Sequence, residues 1–216
     1  MGKIQISASK AFALHFLCTA ALAAGYCLAR DVYALSLVSD PAQTLRLLLL
    51  FEGPVVVGIY SWVRRDPDCC SYLKAVGRGL LGLPIGASIN AFGAIVLGAP
   101  VGIKYLTKTI YWSFLMSLFT FVPAACVFGK SRADWQHILA HSKPMEVVDY
   151  MISLPAHGAV IGAWLGAWPM PLDWERPWQE WPICVTYGSV AGYLVGMLAS
   201  SVFILVLRRQ DPVKVD

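Results

Sequence analysis

Long apolar runs separated by short polar segments form the pattern of this chain. The hydrocarbon core of a bilayer is about 30 Å thick, so a helix needs about 20 apolar residues to cross it. Because six runs approach that length, we predict an all-α membrane protein, a polytopic bundle of about six transmembrane helices in one membrane domain over residues 1–216. The predicted spans are residues 11–29, 47–63, 79–103, 110–128, 148–168 and 182–207.

The charges that flank these runs predict the topology. With the N-terminus in the cytosol, twelve of the 17 lysines and arginines fall on the cytosolic side and five on the opposite side. This is a positive-inside bias, so we expect both termini in the cytosol and residues 170–181 in the lumen. The first run follows Lys3 and Lys10 as a signal peptide would, but it stays apolar to Ala29, which favours a retained signal anchor.

The composition narrows the class of protein further. Hydrophobic residues make up 57% of the chain and charged residues only 14%, whereas soluble domains carry about 25% charge. The net charge of +4 does not indicate a nucleic-acid partner, because the basic residues cluster beside the apolar runs, where topology signals are found.

The six cysteines show neither a CxxC motif nor a Cys/His cluster with zinc spacing, so no disulfide scaffold is expected. Cys69 and Cys70 share a loop with Arg64 and Arg65, which is compatible with palmitoylation, although an unmodified loop is the simpler interpretation. The other four are predicted to pack as small residues within or beside apolar runs: Cys18, Cys27, Cys126 and Cys184.

Glycines recur every four residues in the last two predicted spans, with a shorter version in the third. Four residues are close to one helical turn, so each set forms a flat face that another backbone can approach. Two interpretations remain open: the faces hold the bundle together, or one of them docks the helix of a partner. Internal packing is favoured because the last two spans form a hairpin. The predicted helix-contact residues are Gly82, Gly86, Gly158, Gly162, Gly166, Gly188, Gly192 and Gly196.

The segment between the last two spans is rich in tryptophan and proline. Tryptophans suit the headgroup zone of a membrane, and prolines stiffen the backbone. The tryptophans expected there are Trp168, Trp174, Trp178 and Trp181. We expect Asp173, Glu175 and Arg176 to form a local ion-paired cap. A divalent metal on the two carboxylates is the less favoured alternative, because such sites usually add histidines or further acids.

Polar residues within the predicted spans are functional candidates, because placing them in lipid is costly. Glu52 precedes Gly53-Pro54 in the second span. Its partner is expected among Arg46, Asn90 and His157. For His157 a hydrogen-bonded packing role is the simpler interpretation, and the same holds for His15.

His137 and His141 are four residues apart and could form a metal face with Asp134, but the glutamate of an HExxH motif and a nearby cysteine are both missing. The chain also has no Walker loop, no GxSxG motif and no dinucleotide fingerprint. We therefore expect no metal site, no cofactor and no catalytic residue.

The run GAWLGAWPMPLDWERPWQEWPI over residues 162–183 closely resembles the signature of the phosphatidylinositol-glycan biosynthesis class F family. The preceding LPAHG at 154–158 and the segment from Tyr187 to Gly196 fit as well. The resemblance is specific over about the last seventy residues and rests on length and hydropathy upstream.

The resemblance implies a multi-pass protein of the endoplasmic reticulum that acts in glycosylphosphatidylinositol (GPI) anchor assembly. It implies a non-catalytic subunit that stabilises the large ethanolamine phosphate transferases, which add phosphoethanolamine to mannoses of the anchor precursor. The family offers no established catalytic residue. The candidate contacts with a partner or with lipid, possibly the GPI precursor, are Asp173, Trp174, Glu175, Arg176 and Trp178.

Two other classes of function compete with this one. An enzyme or lipid-handling protein for phosphatidylethanolamine or the anchor lipid would use Glu52, Asn90 and His157 to line a polar groove, with Asp173 and Glu175 near the headgroup. A small transporter would show matching helix breaks in its two halves, and the breaks do not match here.

Overall fold

A computed structural model describes residues 6–65, 67–68, 70–129, 135–136 and 146–210, with side chains through residue 206. Helices dominate these ranges, and no strand occurs in them. A π-helical turn, Leu28–Val32, follows the first helix, and a 3-10 turn, Pro177–Gln179, precedes the last. The α-helices are α1 (Ala8–Cys27), α2 (Pro41–Trp62), α3 (Tyr72–Val96), α4 (Ile103–Thr120), α5 (Val122–Phe128), α6 (Val147–Ala167) and α7 (Ile183–Gln210).

The predicted class, an all-helical membrane protein, is confirmed. Four helices in the described part of the chain are long and apolar enough to cross a membrane: α1 with its π-helical extension, α2, α3 and α7. A fifth span results if α4 and α5, which meet at 41°, are taken together. The predicted fifth span corresponds to α6, which carries Asp149 and His157 and does not belong to this set. The count of six therefore stays a prediction.

Several predicted span boundaries differ from the helices, and the second span, expected from residue 47, already begins at Pro41. The third span was expected over 79–103, whereas α3 covers Tyr72–Val96. The Ser71 side chain caps its start by accepting a hydrogen bond from the Lys74 amide at 3.3 Å, and Gly98 ends it with a φ of +100°. The fourth span was expected over 110–128, but the helix begins at Ile103 and breaks before Pro123, which cannot donate a hydrogen bond to the preceding turn.

Helices α6 and α7 form the closest contact in the bundle, with backbone against backbone. A Cβ atom added to Gly192 would lie 2.8 Å from the carbonyl carbon of Gly158 and 3.0 Å from the Cα atom of Gly162. A Cβ atom on Gly196 would lie 2.5 Å from the carbonyl oxygen of Leu154. Both helices therefore need glycine at the contact, because any larger residue would separate them.

A second small-residue contact joins α3 to the α4–α5 pair. A Cβ atom on Gly82 would lie 2.8 Å from the Ala125 Cβ atom, and one on Gly86 would lie 2.6 Å from the Phe121 Cβ atom. The Ser117 hydroxyl on α4 donates to the Leu83 carbonyl of α3 at 2.8 Å.

Helix α2 packs against α1, α3, α4 and α5, and α1 also contacts α7. The core thus lies around α2.

A proline in α6 is compensated by a tyrosine from α2. Pro155 has no amide hydrogen, so the carbonyl of Met151, four residues earlier, loses its helical donor. The Tyr60 hydroxyl donates to that Met151 carbonyl at 3.0 Å, and the Tyr60 side chain is only 1% exposed. In a membrane, where water cannot replace a missing donor, this hydrogen bond links α2 to α6.

Replacing Gly192 with alanine should destabilise the protein by about 1–3 kcal/mol, the usual range for an overpacked contact. The added methyl group would meet the Gly158 carbonyl and force α6 and α7 apart. Thermal unfolding of the purified protein in mild detergent measures the change. Gly93→Ala is the matched control, because a Cβ atom there has nothing within 4 Å. Equal effects of the two substitutions would contradict this packing.

The Tyr60–Met151 hydrogen bond predicts a specific double-mutant result. Tyr60→Phe should cost about 1 kcal/mol in the natural sequence, the usual net value of such a bond. In a Pro155→Ala background the loss should be much smaller, because the new amide at position 155 can donate to the Met151 carbonyl. Unfolding of the four proteins gives the coupling energy, and additive losses would show that the two residues act independently.

Candidate functional site

The turn between α6 and α7, residues 168–182, is organised by one buried amide side chain. Gln179 Nε2 donates to the carbonyls of Pro169 at 2.6 Å and Leu172 at 2.8 Å. Its Oε1 atom accepts from the Arg176 amide at 2.9 Å. Sequence reasoning missed Gln179, because nothing in the local pattern distinguishes a glutamine that bridges a turn from one that faces water.

Trp181 attaches this turn to α4. Its ring is 6% exposed and lies edge-on to Trp112, with 5.0 Å between the ring centroids. Its Nε1 atom donates to the Thr109 hydroxyl at 2.9 Å. The turn therefore folds the ring of Trp181 inward onto α4, and its expected place at the headgroup level stays a prediction.

An ion-pair cluster on the surface also joins the turn to the beginning of α4. Glu180 Oε1 lies 3.1 Å from Lys104 Nζ and 3.4 Å from Lys108 Nζ. The hydrogen bond from Lys104, with the charge of Lys108, lowers the pKa of the Glu180 carboxyl from its ordinary value. The beginning of α4 and the turn thus lie at the same end of the bundle, as the predicted topology requires.

The five predicted contact residues of the turn are all exposed: Asp173, Trp174, Glu175, Arg176 and Trp178. The rings of Trp174 and Trp178 lie edge-on, 5.9 Å apart. Glu175 has a φ of +50°, which turns the chain sharply beside them. The expected ion-paired cap is wrong, because no ion pair joins Asp173, Glu175 and Arg176 within the described residues. The role of these five residues as contacts stays a prediction.

The three intramembrane candidates make different contacts among the described residues. Asn90 Nδ2 donates to the Gly86 carbonyl of its own helix at 2.8 Å and to the Thr120 hydroxyl at 3.4 Å. His157 Nδ1 donates to the Ser153 carbonyl at 2.7 Å. Glu52 is buried in the core. It faces Tyr193, not one of its expected partners.

At the opposite end of the bundle, Arg65 links the loop after α2 to the start of α6. Its Nη2 atom lies 3.2 Å from Asp149 Oδ1 and 3.6 Å from Glu146 Oε2, and its guanidinium lies over the Phe128 ring. Nearby, Cys70 is 6% exposed and so offers no accessible thiol for palmitoylation.

The other residues of the cysteine and metal hypotheses lie outside the described residues: Cys69, Asp134, His137 and His141. Among the residues that the structure does describe, no group of three or more histidines, cysteines or acids is placed to hold a metal ion.

Comparison with known proteins gives consistent matches. The family described as "GPI biosynthesis protein family Pig-F" matches residues 19–201. The human and mouse proteins named "GPI ethanolamine phosphate transferase, stabilizing subunit" are each 35% identical over 116 residues, 54% of this chain and 52% of their own length. The Yarrowia lipolytica "Glycosylphosphatidylinositol anchor biosynthesis protein 11" is 32% identical over 176 residues, 78% of this chain and 75% of its own. No solved structure matches the chain.

Glu180→Gln should lower the stability of the turn at neutral pH, because it removes the carboxylate that pairs with both lysines. Since the pKa of Glu180 is lowered in the folded protein, its contribution is complete above the ordinary glutamate pKa of about 4.3. The stabilising contribution of the Glu180 carboxylate disappears as the pH falls through this lowered pKa. Thermal unfolding in detergent from pH 7 to pH 3 measures the difference from the natural protein, which high salt should also reduce.

The matched control is Glu175→Gln, which changes another exposed glutamate of the same turn. It should leave stability at pH 7 unchanged, because no ion pair involves Glu175 within the described residues. A difference between Glu180→Gln and the natural protein that grows on acidification would contradict the ion-pair assignment.

Proposed function

The chain belongs to the GPI biosynthesis protein family Pig-F, and we propose that it is a non-catalytic subunit of a GPI ethanolamine phosphate transferase. In this proposal it stabilises the large catalytic subunit, which adds phosphoethanolamine to mannoses of the GPI precursor in the endoplasmic reticulum membrane. The names of the human and mouse relatives support the assignment. The match spans about half of the length of those relatives, so partner, reaction and location are all part of the proposal.

The proposed topology follows from the charge count. The chain forms one membrane domain over residues 1–216 with about six spans, and both termini lie in the cytosol. The turn over residues 168–182 then faces the lumen. A catalytic subunit with a lumenal domain would meet the turn at the membrane surface.

The main support for the proposal is that the turn is ordered and leaves tryptophan and arginine side chains exposed. Gln179 ties its two arms together, and Trp181 anchors it to α4. Trp174, Arg176 and Trp178 remain exposed. Tryptophan and arginine dominate binding energy at protein interfaces, and a turn that is already ordered loses little conformational entropy on binding. These features support a preformed contact surface.

We assign the partner contact to this turn and not to the glycine-lined helix faces. Gly158 and Gly162 already contact Gly192 and Gly188 within the bundle, and Gly86 is covered by Phe121. A partner helix would have to displace a helix of this chain to use either face. The enzymatic alternative has no such support, since Glu52, Asn90 and His157 each contact a different side chain or carbonyl among the described residues.

The test is the abundance of the catalytic subunit in cells that express variants of this chain. Arg176→Ala combined with Trp174→Ala should lower that abundance several-fold, together with the amount of complex recovered in mild detergent. Arg46→Ala is the matched control, because Arg46 is also exposed and predicted to lie on the same side of the membrane. Normal recovery of the complex with loss of anchor modification would contradict a purely stabilising role.

A further inference from the structure

Two lysines at the beginning of α4 share a single carboxylate oxygen. Lys104 Nζ lies 3.1 Å and Lys108 Nζ lies 3.4 Å from Oε1 of Glu180. The same two ammonium groups lie over the ring of Tyr105, at 5.2 Å and 5.6 Å from its centroid. These four side chains form one compact group, the lysine cluster, which holds two ammonium groups close together.

The lysine cluster carries more positive than negative charge. One carboxylate neutralises one of the two ammonium groups, and no further acid forms an ion pair with either lysine among the described residues. Like charges at short range repel each other. The Lys108 side chain is only 18% exposed, so solvent screens its charge less than that of a fully exposed lysine. A second anion beside the cluster would relieve this repulsion.

The position of the lysine cluster along the chain indicates which anion lies nearby. Residues 109–128, which follow Lys108 through α4 and α5, carry no charge and match the length of about 20 residues that crosses the hydrocarbon core. The two lysines therefore lie at the level of the lipid headgroups, at the end of the bundle that carries the turn. The phosphate of a phospholipid is the abundant anion at this level of a membrane.

We propose that the lysine cluster binds the phosphate of a phospholipid headgroup and favours a lipid with a net negative charge. Each ammonium group has three N–H donors, so Lys104 and Lys108 can both bind the phosphate while they still contact Glu180. The Lys104 side chain is 71% exposed, which leaves the cluster open to the lipid. A zwitterionic headgroup fits less well, because the lysines repel its own cationic group. The inference does not depend on the proposed function.

Glu180 distinguishes this proposal from a purely structural ion pair. If the cluster only joins the turn to α4, Lys108→Gln and Glu180→Gln weaken the same contact and act alike. If the cluster binds phosphate, the two substitutions act in opposite directions. The first removes a positive charge that attracts the lipid, and the second removes the negative charge that competes with it. One such charge near the membrane surface changes the affinity for an anionic lipid about fivefold.

The experiment uses a phosphatidylglycerol with a photoreactive headgroup, added to the full chain in mild detergent. Mass spectrometry measures the label on residues 97–108 and 168–182, which reports on this end of the bundle alone. We expect Lys108→Gln to lower the labelling about fivefold and Glu180→Gln to raise it by a similar factor. Lys74→Gln is the matched control, because Lys74 is exposed near the start of α3, at the opposite end of the bundle, and should leave the labelling unchanged.

Competition on the natural protein needs no variant to fold. Unlabelled phosphatidylglycerol should displace the probe about fivefold more effectively than phosphatidylcholine with the same acyl chains, and inorganic phosphate should displace little. Equal competition by the two lipids would overturn the preference for net negative charge. Displacement by inorganic phosphate at the same concentration would mean that the ligand is a soluble anion and not a lipid. A loss of labelling in both Lys108→Gln and Glu180→Gln would mean that the cluster is only a structural ion pair.

Discussion

The contact between the backbones of α6 and α7 is the interaction on which the rest of the structure depends. Lipid tails are as apolar as leucine, so helices in a membrane gain little from excluding water and associate largely through close packing. Gly158 and Gly162 face Gly192 and Gly188 so closely that a single Cβ atom would collide with the opposite carbonyl. This contact fixes the two ends of the connecting turn at a short separation. Gln179, on the second arm of the turn, can then reach carbonyls of the first arm.

Polar groups inside the bundle add specific links to this packing. The carbonyl that Pro155 deprives of its helical donor receives the Tyr60 hydroxyl from α2. His15 on α1 bonds the Ser201 hydroxyl on α7 at 3.1 Å, and Arg65 holds Asp149 at the opposite end. Each link joins the first part of the chain to the α6–α7 hairpin. Hydrogen bonds of this kind orient helices that apolar packing alone would leave free to rotate.

The sequence was most informative where a pattern has one dominant physical cause. Apolar length predicted helices that cross a membrane, and the glycine spacing predicted flat helix faces. It was less informative where an answer depends on the fold. The α3 helix begins seven residues earlier than its apolar run suggests, because Ser71 caps it and the segment around Gly98 cannot continue it. No periodicity shows that Trp181 turns inward or that Glu52 faces Tyr193, since each partner comes from a distant part of the chain. Gln179 bonds to residues of its own turn, but a turn has no repeat that would reveal this role.

The ordered turn over residues 168–182 is the proposed contact with a large catalytic subunit. The most direct test places a photo-crosslinking phenylalanine analogue at position 174 of the full chain in native membranes. A crosslink to the ethanolamine phosphate transferase subunit is expected, with a much weaker one from position 85, where Ile85 is exposed on α3. Crosslinks from position 174 only to lipid, with the subunit captured from position 85, would show that the turn is not the contact.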